Sequence, residues 1–183
     1  MAVGIGSKRI VVWGTGFVGR MVVAEIVKHP MFELVGVGVS NPEKAGRDVG
    51  EICRLGTEFG VTATDDVDAL IGLKPDALVH YGPTAAHADD NIALITQFLR
   101  AGIDVVSTAM TPWVWPAMHL NPPNWIEPVT EACAQGKSSC VTTGIDPGFA
   151  NDLFPMTLMG GRRLEKRYTS ATAHFDCDVF GTR

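Results

Sequence analysis

Gly14, Gly16 and Gly19 stand between an apolar, β-branched run, Ile10-Val11-Val12-Trp13, and a segment with helical apolar spacing, Met21 to Lys28. A Gly-x-Gly-x-x-Gly triplet placed between a strand and a helix suits one kind of chemistry. The helix start offers unpaired backbone N–H groups and a partial positive charge to a phosphate. Gly14 permits the tight turn, Gly16 lets the backbone approach a pyrophosphate with no Cβ in the way, and Gly19 lets the helix pack against the sheet. The spacing therefore predicts a dinucleotide site; the alternative is a role in packing alone.

The second strand, Phe32 to Val39, completes a β-α-β unit and fixes which cofactor is favoured. Sites that prefer NAD usually place an acid at the end of this strand to accept from the ribose 2′-hydroxyl. This chain has Ser40 and Asn41 there, with Lys44 and Arg47 close behind. A 2′-phosphate would meet donors, so NADP(H) is favoured. Glu43 keeps NAD(H) as the alternative, and Lys44 and Arg47 also read as plain solvated loop charges.

The elements that must position these residues alternate along the chain. Ser40 to Glu58 reads as a loop with a short helix and Gly60 to Thr64 as a short third strand, followed by a helical turn from Asp65. Asp76 to Tyr81 reads as a strand ending in the turn Gly82-Pro83-Thr84. Ala86 to Arg100 has helical spacing with Gly102 at its C-terminal cap, and Ile103 to Thr108 is the next strand. Trp125 to Gln135 reads as a helix, Cys140 to Thr143 as a strand, and Gly144-Ile145-Asp146-Pro147-Gly148 as a turn opening onto Phe149 to Met159. Alternation of this kind predicts an α/β fold: a doubly wound, mostly parallel sheet with right-handed crossovers.

Composition narrows the class. The 183 residues are 46% apolar and 19% charged, with a formal charge of −5, and mean hydropathy is +0.15. Those values describe a folded globular chain and exclude global disorder. The bases are scattered, which excludes a phosphate-tracking nucleic-acid surface. The most apolar stretch, Ile10 to Val27, contains three glycines, Arg20 and Glu25, so no membrane span is expected. Cys53, Cys133, Cys140 and Cys177 show no Cys-x-x-Cys pairing, and Met1 to Ser7 lacks the pattern of a signal peptide. Reduced thiols in a cytoplasmic protein are the expectation.

At Gly14 to Gly19, Gly46-Arg47-Asp48-Val49-Gly50-Glu51 and Gly144-Ile145-Asp146-Pro147-Gly148, the sequence resembles the dihydrodipicolinate reductase superfamily. It looks most like the branch that includes 2,4-diaminopentanoate dehydrogenase and related amine dehydrogenases, over roughly residues 8 to 158. The resemblance implies a Rossmann domain that binds NAD(P)H, in enzymes that reduce C=N bonds or oxidise amines. It implies that Gly14, Thr15, Gly16, Phe17 and Val18 face the cofactor diphosphate, and that Ser40 and Asn41 face the adenosine ribose. It also implies that His80, Tyr81, Gly82, Pro83 and Thr84 line the nicotinamide-ribose side; packing roles for Tyr81 and His80 are the alternative. Small amine, imine or keto substrates and a homo-oligomeric state are implied with it.

Two departures limit the catalytic reading. The amine-dehydrogenase branch tends to carry an acid after the fifth strand, where this chain has Thr108-Ala109-Met110-Thr111-Pro112. Trp113, Trp115 and His119 follow and suit either an aromatic pocket wall or apolar packing. The second departure is length, since a substrate domain would call for on the order of 100 further residues. The expected organisation is a dinucleotide domain over residues 1–159 and an atypical or incomplete tail over 160–183, where acidic excess gives way to basic excess. The alternative function is thus a nucleotide-binding module without efficient catalysis. Phe149, Leu153, Phe154, Met156, Leu158 and Met159 would then leave apolar surface open, predicting marginal stability or self-association.

Overall fold

A computed structural model describes residues 6–83, 87–114, 122–146 and 148–159. These group into two units, one ending at Thr142 and the other beginning at Thr143. The first unit is built on six parallel strands: β1 (Lys8–Trp13), β2 (Phe32–Gly38), β3 (Ala63–Thr64), β4 (Ala77–His80), β5 (Asp104–Ser107) and β6 (Cys140–Thr142). Their order across the sheet is β3-β2-β1-β4-β5-β6, the reversal falling between β1 and β4. This is the doubly wound α/β fold that the alternating pattern predicts.

The two faces bury different clusters because alternate strand residues point to opposite sides. Ile10, Val12 and Val37 pack on one face with Val23 and Ile26 of helix α1 (Phe17–Ile26) and Val49 and Ile52 of the short helix α2 (Val49–Ile52). Val11, Leu78 and Val105 pack on the other. Against them lie Leu70 of α3 (Val67–Gly72), Ile95, Phe98 and Leu99 of α4 (Ala88–Arg100), and Ile126 and Ala132 of α5 (Pro123–Gly136). Gly102, at φ +82°, follows the end of α4 as a left-handed cap.

The Gly46–Glu51 segment turns out to be a clamp. The Asp48 carboxylate accepts from Gly50 N at 2.7 Å, Phe59 N at 3.2 Å and Gly60 N at 2.9 Å, tying α2 to the chain that feeds β3. These backbone donors hold the Asp48 carboxyl below its usual range against the opposing effect of desolvation. Arg47 and Glu51 pair at 2.6 Å one helical turn apart.

In the second unit, Gly144 bridges to Gly148, and Phe149 N and Ala150 N donate to the carbonyls of Gly144 and Ile145 at 2.9 and 2.7 Å. The chain continues as a π-helical turn, Phe149–Leu153, into helix α6 (Phe154–Met159). Phe149, Leu153, Phe154, Met156 and Leu158 are exposed. Among the described residues no helix is long and apolar enough to cross a membrane.

The start of α1 differs from the sequence pattern. Helix α1 begins at Phe17 rather than Met21, because Gly16 sits at the cap and Gly19 forms part of the first helical turn. The glycines of β2 make room for a neighbour: a Cβ on Gly38 would overlap the Trp13 indole.

Candidate functional site

Register places one row of residues across the C-terminal edge of the sheet: Thr64, Gly38, Trp13, His80, Ser107 and Thr142 are successive Cα partners. Ligands of open α/β sheets sit beyond this edge, near the strand-order reversal. The glycine turn leaves β1 here. Gly14 has φ +99°, and a Cβ on it would overlap the Tyr81 carbonyl, so both the backbone conformation and the contact with the β4 end demand glycine. A Cβ on Gly19 would overlap the Gly14 carbonyl, whereas one on Gly16 meets nothing within 4 Å. The structure thus separates the three: Gly14 and Gly19 are held by close packing, and Gly16 borders open space.

Helix α1 has no side-chain cap and no acidic residue in its first turn, and its first closing bond is Arg20 N to Gly16 O at 3.1 Å. The N–H groups of Phe17, Val18 and Gly19 therefore precede the intrahelical ladder, available to an anion. Phe17 and Val18 are exposed beside them. Thr15 is 5% exposed, and its hydroxyl and carbonyl accept from Lys44 Nζ at 3.1 and 3.3 Å.

Two cavities flank this turn and share Tyr81, Gly82 and Pro83 as a common wall. A groove of about 260 Å³ runs along Gly16, Phe17, Val18 and Gly19 to Thr108. A larger cavity of about 550 Å³ lies between α3 and α4 and is bordered by Trp13, Ser40, Val67, His80, Asn91 and Leu94 among others. Ser40 thus reaches a cavity wall at the end of β2. Asn41 is exposed, and its side-chain oxygen is committed to Glu43 N at 3.0 Å. Of the two bases after β2, only Lys44 turns toward the glycine turn; Arg47 is paired with Glu51.

His80 is fully buried at the common wall. Its Nδ1 lies 3.0 Å from Ser107 Oγ, which also accepts from Ala109 N at 3.0 Å, while its Nε2 has no partner. Burial drives its pKa down from 6.5 to about 4, so the ring is neutral at pH 7. Asn91 supports the wall from the other side, donating from Nδ2 to the Pro83 carbonyl at 2.9 Å. Burial likewise raises the Tyr81 phenol above its usual range. Sequence reasoning did not single out Ser107, Asn91 or Thr108 for this wall, because only the strand register and the packing of α4 bring them to it.

Several sequence candidates stand elsewhere. Thr84, Trp115, His119 and Cys177 lie outside the described residues. Trp113 is buried in a 3₁₀ turn, Thr111–Val114, and Ala109 and Met110 before it are buried as well. The stretch from Thr108 to Pro112 supplies no carboxylate. Cys53, Cys133 and Cys140 are free thiols, and burial raises each pKa, that of Cys140 to about 12. Among the described residues no cluster of three or more His, Cys, Asp or Glu could hold a metal ion.

Residues 8–109 match the family described as dihydrodipicolinate reductase, N-terminus. The chain belongs to that family. The chain is also 41% identical over 151 residues to a protein named amine dehydrogenase from Streptomyces virginiae. The match takes in 82% of this chain and 41% of that protein. Its fold resembles the solved amine dehydrogenase from Mycobacterium smegmatis, with a TM-score of 0.73 at 21% identity over 86% of this chain and 45% of the other. It also resembles an engineered D-amino acid dehydrogenase bound to NADP+, with a TM-score of 0.55 at 21% identity over 83% and 41% of the two chains. The chain spans less than half the length of these proteins. Both the family resemblance and the fold expectation hold.

Proposed function

We propose that this chain is the nucleotide-binding part of an NAD(P)H-dependent oxidoreductase that moves hydride to or from a C=N or amine carbon of a small amine, imine or keto substrate. The observation that carries the reading is the uncapped start of α1 at the mouth of a groove whose wall is shared with a second cavity. That arrangement suits a diphosphate over Gly16 to Gly19, with a nucleoside on each side of the Tyr81–Pro83 wall. Ser40 then lies on the adenosine side and Thr108 on the nicotinamide side. The name of the Streptomyces relative supports the amine chemistry.

A bound nicotinamide dinucleotide supplies the redox chemistry; the protein's part is to bind, orient and exclude water. The glycine-turn amides hold the diphosphate, and Phe17 and Val18 cover it with apolar surface. Tyr81, fixed through its N–H to Trp13 O at 2.8 Å, forms a rigid wall between the two nucleoside sites. Lys44 is the base placed to meet a 2′-phosphate near Ser40, and this supports NADP(H) over NAD(H).

Titration of the intact chain with NADPH and NADH, followed by nicotinamide fluorescence, tests the proposal. Saturable binding of both is expected, with NADPH tighter. Absence of saturable binding of either coenzyme to folded protein overturns it.

The second reading is a nucleotide-binding module without efficient catalysis; among the described residues lining the 260 Å³ groove the titratable side chain is Tyr81, whose phenol burial keeps protonated. The exposed apolar residues of the second unit add a proposal of self-association, for which sedimentation equilibrium should show a concentration-dependent mass.

A further inference from the structure

The larger cavity beside the glycine turn has an aromatic residue on its wall whose position the sheet fixes. Trp13, the last residue of β1, borders this space of about 550 Å³ and is only partly buried, so part of its surface stays open. Its Cα partner on β2 is Gly38. The three atoms nearest to a Cβ on Gly38 would be Cε3, Cζ3 and Cδ2 of the indole, all in its six-membered ring, so that ring lies directly against the strand backbone. Trp13 also packs on the core cluster of α3 and α4. A ring held in this way has little freedom left to lose when a ligand settles on it.

The other walls select for a flat, neutral ring. Val67 of α3, Leu94 of α4 and Pro83 present hydrocarbon, while Ser40 and Gln97 carry hydrogen-bonding groups. Among the described residues no Lys or Arg borders the cavity, and one carboxylate, that of Asp90, does. A phosphate therefore finds no cation here and falls to the open N–H groups of α1, which leaves the uncharged base for the cavity. Every nucleobase has a π-face, and such faces stack on aromatic side chains.

We infer that the Trp13 indole is the platform on which the adenine ring of the coenzyme stacks, and that position 38 is glycine so that the indole can lie against β2. The inference rests on the dinucleotide reading above and goes beyond it by naming the side chain that meets the base.

The test titrates adenosine 5′-monophosphate, ribose 5-phosphate, which lacks the base, and nicotinamide mononucleotide into the full chain, followed by calorimetry and by tryptophan emission. The adenosine nucleotide should bind about tenfold more tightly than ribose 5-phosphate and quench emission saturably. Trp13→Phe should remove that quenching. Trp13→Leu should weaken adenosine 5′-monophosphate about tenfold and leave ribose 5-phosphate unchanged. Should the variants unfold, the ligand comparison on the unmutated chain decides alone. Quenching that persists in Trp13→Phe, equal affinity for the two phosphates, or a Trp13 response to the nicotinamide nucleotide in place of the adenosine one overturns the proposal. NADPH titrated alongside separates the two readings. Saturable NADPH binding with Trp13 silent toward adenosine 5′-monophosphate removes the platform alone, whereas quenching at Trp13 without NADPH binding removes the dinucleotide reading and keeps the platform.

Discussion

Two glycine turns in this chain lead into helical segments, and they dispose of their backbone donors differently. At Gly144–Gly148 the turn closes on itself, the first two N–H groups after it going to the carbonyls of Gly144 and Ile145. At Gly14–Gly19 the first carbonyl is pressed instead against the site of a Gly19 Cβ, and the N–H groups of the first helical turn precede any intrahelical bond. A glycine turn before a helix is thus not in itself an anion site. What matters is whether the turn's own carbonyls reach the donors before a ligand can.

Alanine substitutions should break the comparison most sharply. Gly14→Ala combines a left-handed φ of +99° with overlap on the Tyr81 carbonyl and should cost about 3 kcal/mol or more, abolishing both stability and coenzyme binding. Gly16→Ala meets no neighbour and should fold normally, yet bind NADPH at least about tenfold more weakly, because its methyl intrudes where the diphosphate lies. Gly148→Ala, at φ +133° and tight against Gly144, should lower thermal stability and leave NADPH affinity unchanged. Thermal melts paired with fluorescence titration separate the three. Full NADPH affinity in folded Gly16→Ala protein would contradict the assignment of the first turn.

Acidification should distinguish the turns next, since the wall facing the first one rests on buried His80. The folded pKa of about 4 lies below the ordinary 6.5, so the unfolded chain takes up this proton first. Stability is then fully present above about pH 6.5 and declines as the pH falls toward 4. Between pH 7 and pH 5 the loss should be roughly 2 kcal/mol. Urea denaturation at the two pH values measures it, and His80→Asn should remove most of the pH dependence over this range. Asp48, Glu51 and Asp76, whose carboxyls are held below their usual values, lose their contributions only at lower pH. Amide exchange should therefore quicken at Tyr81 and Gly82 before it does at Phe149 and Ala150.

The contrast also shows what sequence alone can carry. Strand, turn and helix around Gly14 were legible because apolar periodicity and glycine spacing are local signals, and the same signals gave the order of elements as far as α6. The start of α1 at Phe17 was obscured by the glycines within its first turn, which locally read as loop. His80 was visible as a histidine at a strand end, but its partner Ser107, 27 residues away, follows from the register of β4 on β5. The Asp48 clamp spans 12 residues to Gly60, so the motif was recognisable as a pattern without its mechanical reason. Packing also resolves Lys44 from Arg47, a choice that spacing leaves open.

That pair supplies the smallest expected effect and the finest distinction between the turns. The second turn is closed by bonds among near neighbours, whereas the first receives Lys44 from a loop 29 residues along the chain. A 2′-phosphate near Ser40 would draw the ammonium from the Thr15 hydroxyl, exchanging a neutral acceptor for a charged one. Lys44→Gln should weaken NADPH about fivefold and change NADH less than about twofold, since an exposed ion pair contributes only modestly. Arg47→Gln should leave the NADPH-to-NADH ratio unchanged, because its guanidinium is already committed to Glu51. Parallel titrations of the two variants at low ionic strength measure both ratios. A drop with Arg47→Gln and none with Lys44→Gln would reverse the roles of the two bases and place the 2′-phosphate farther from the glycine turn.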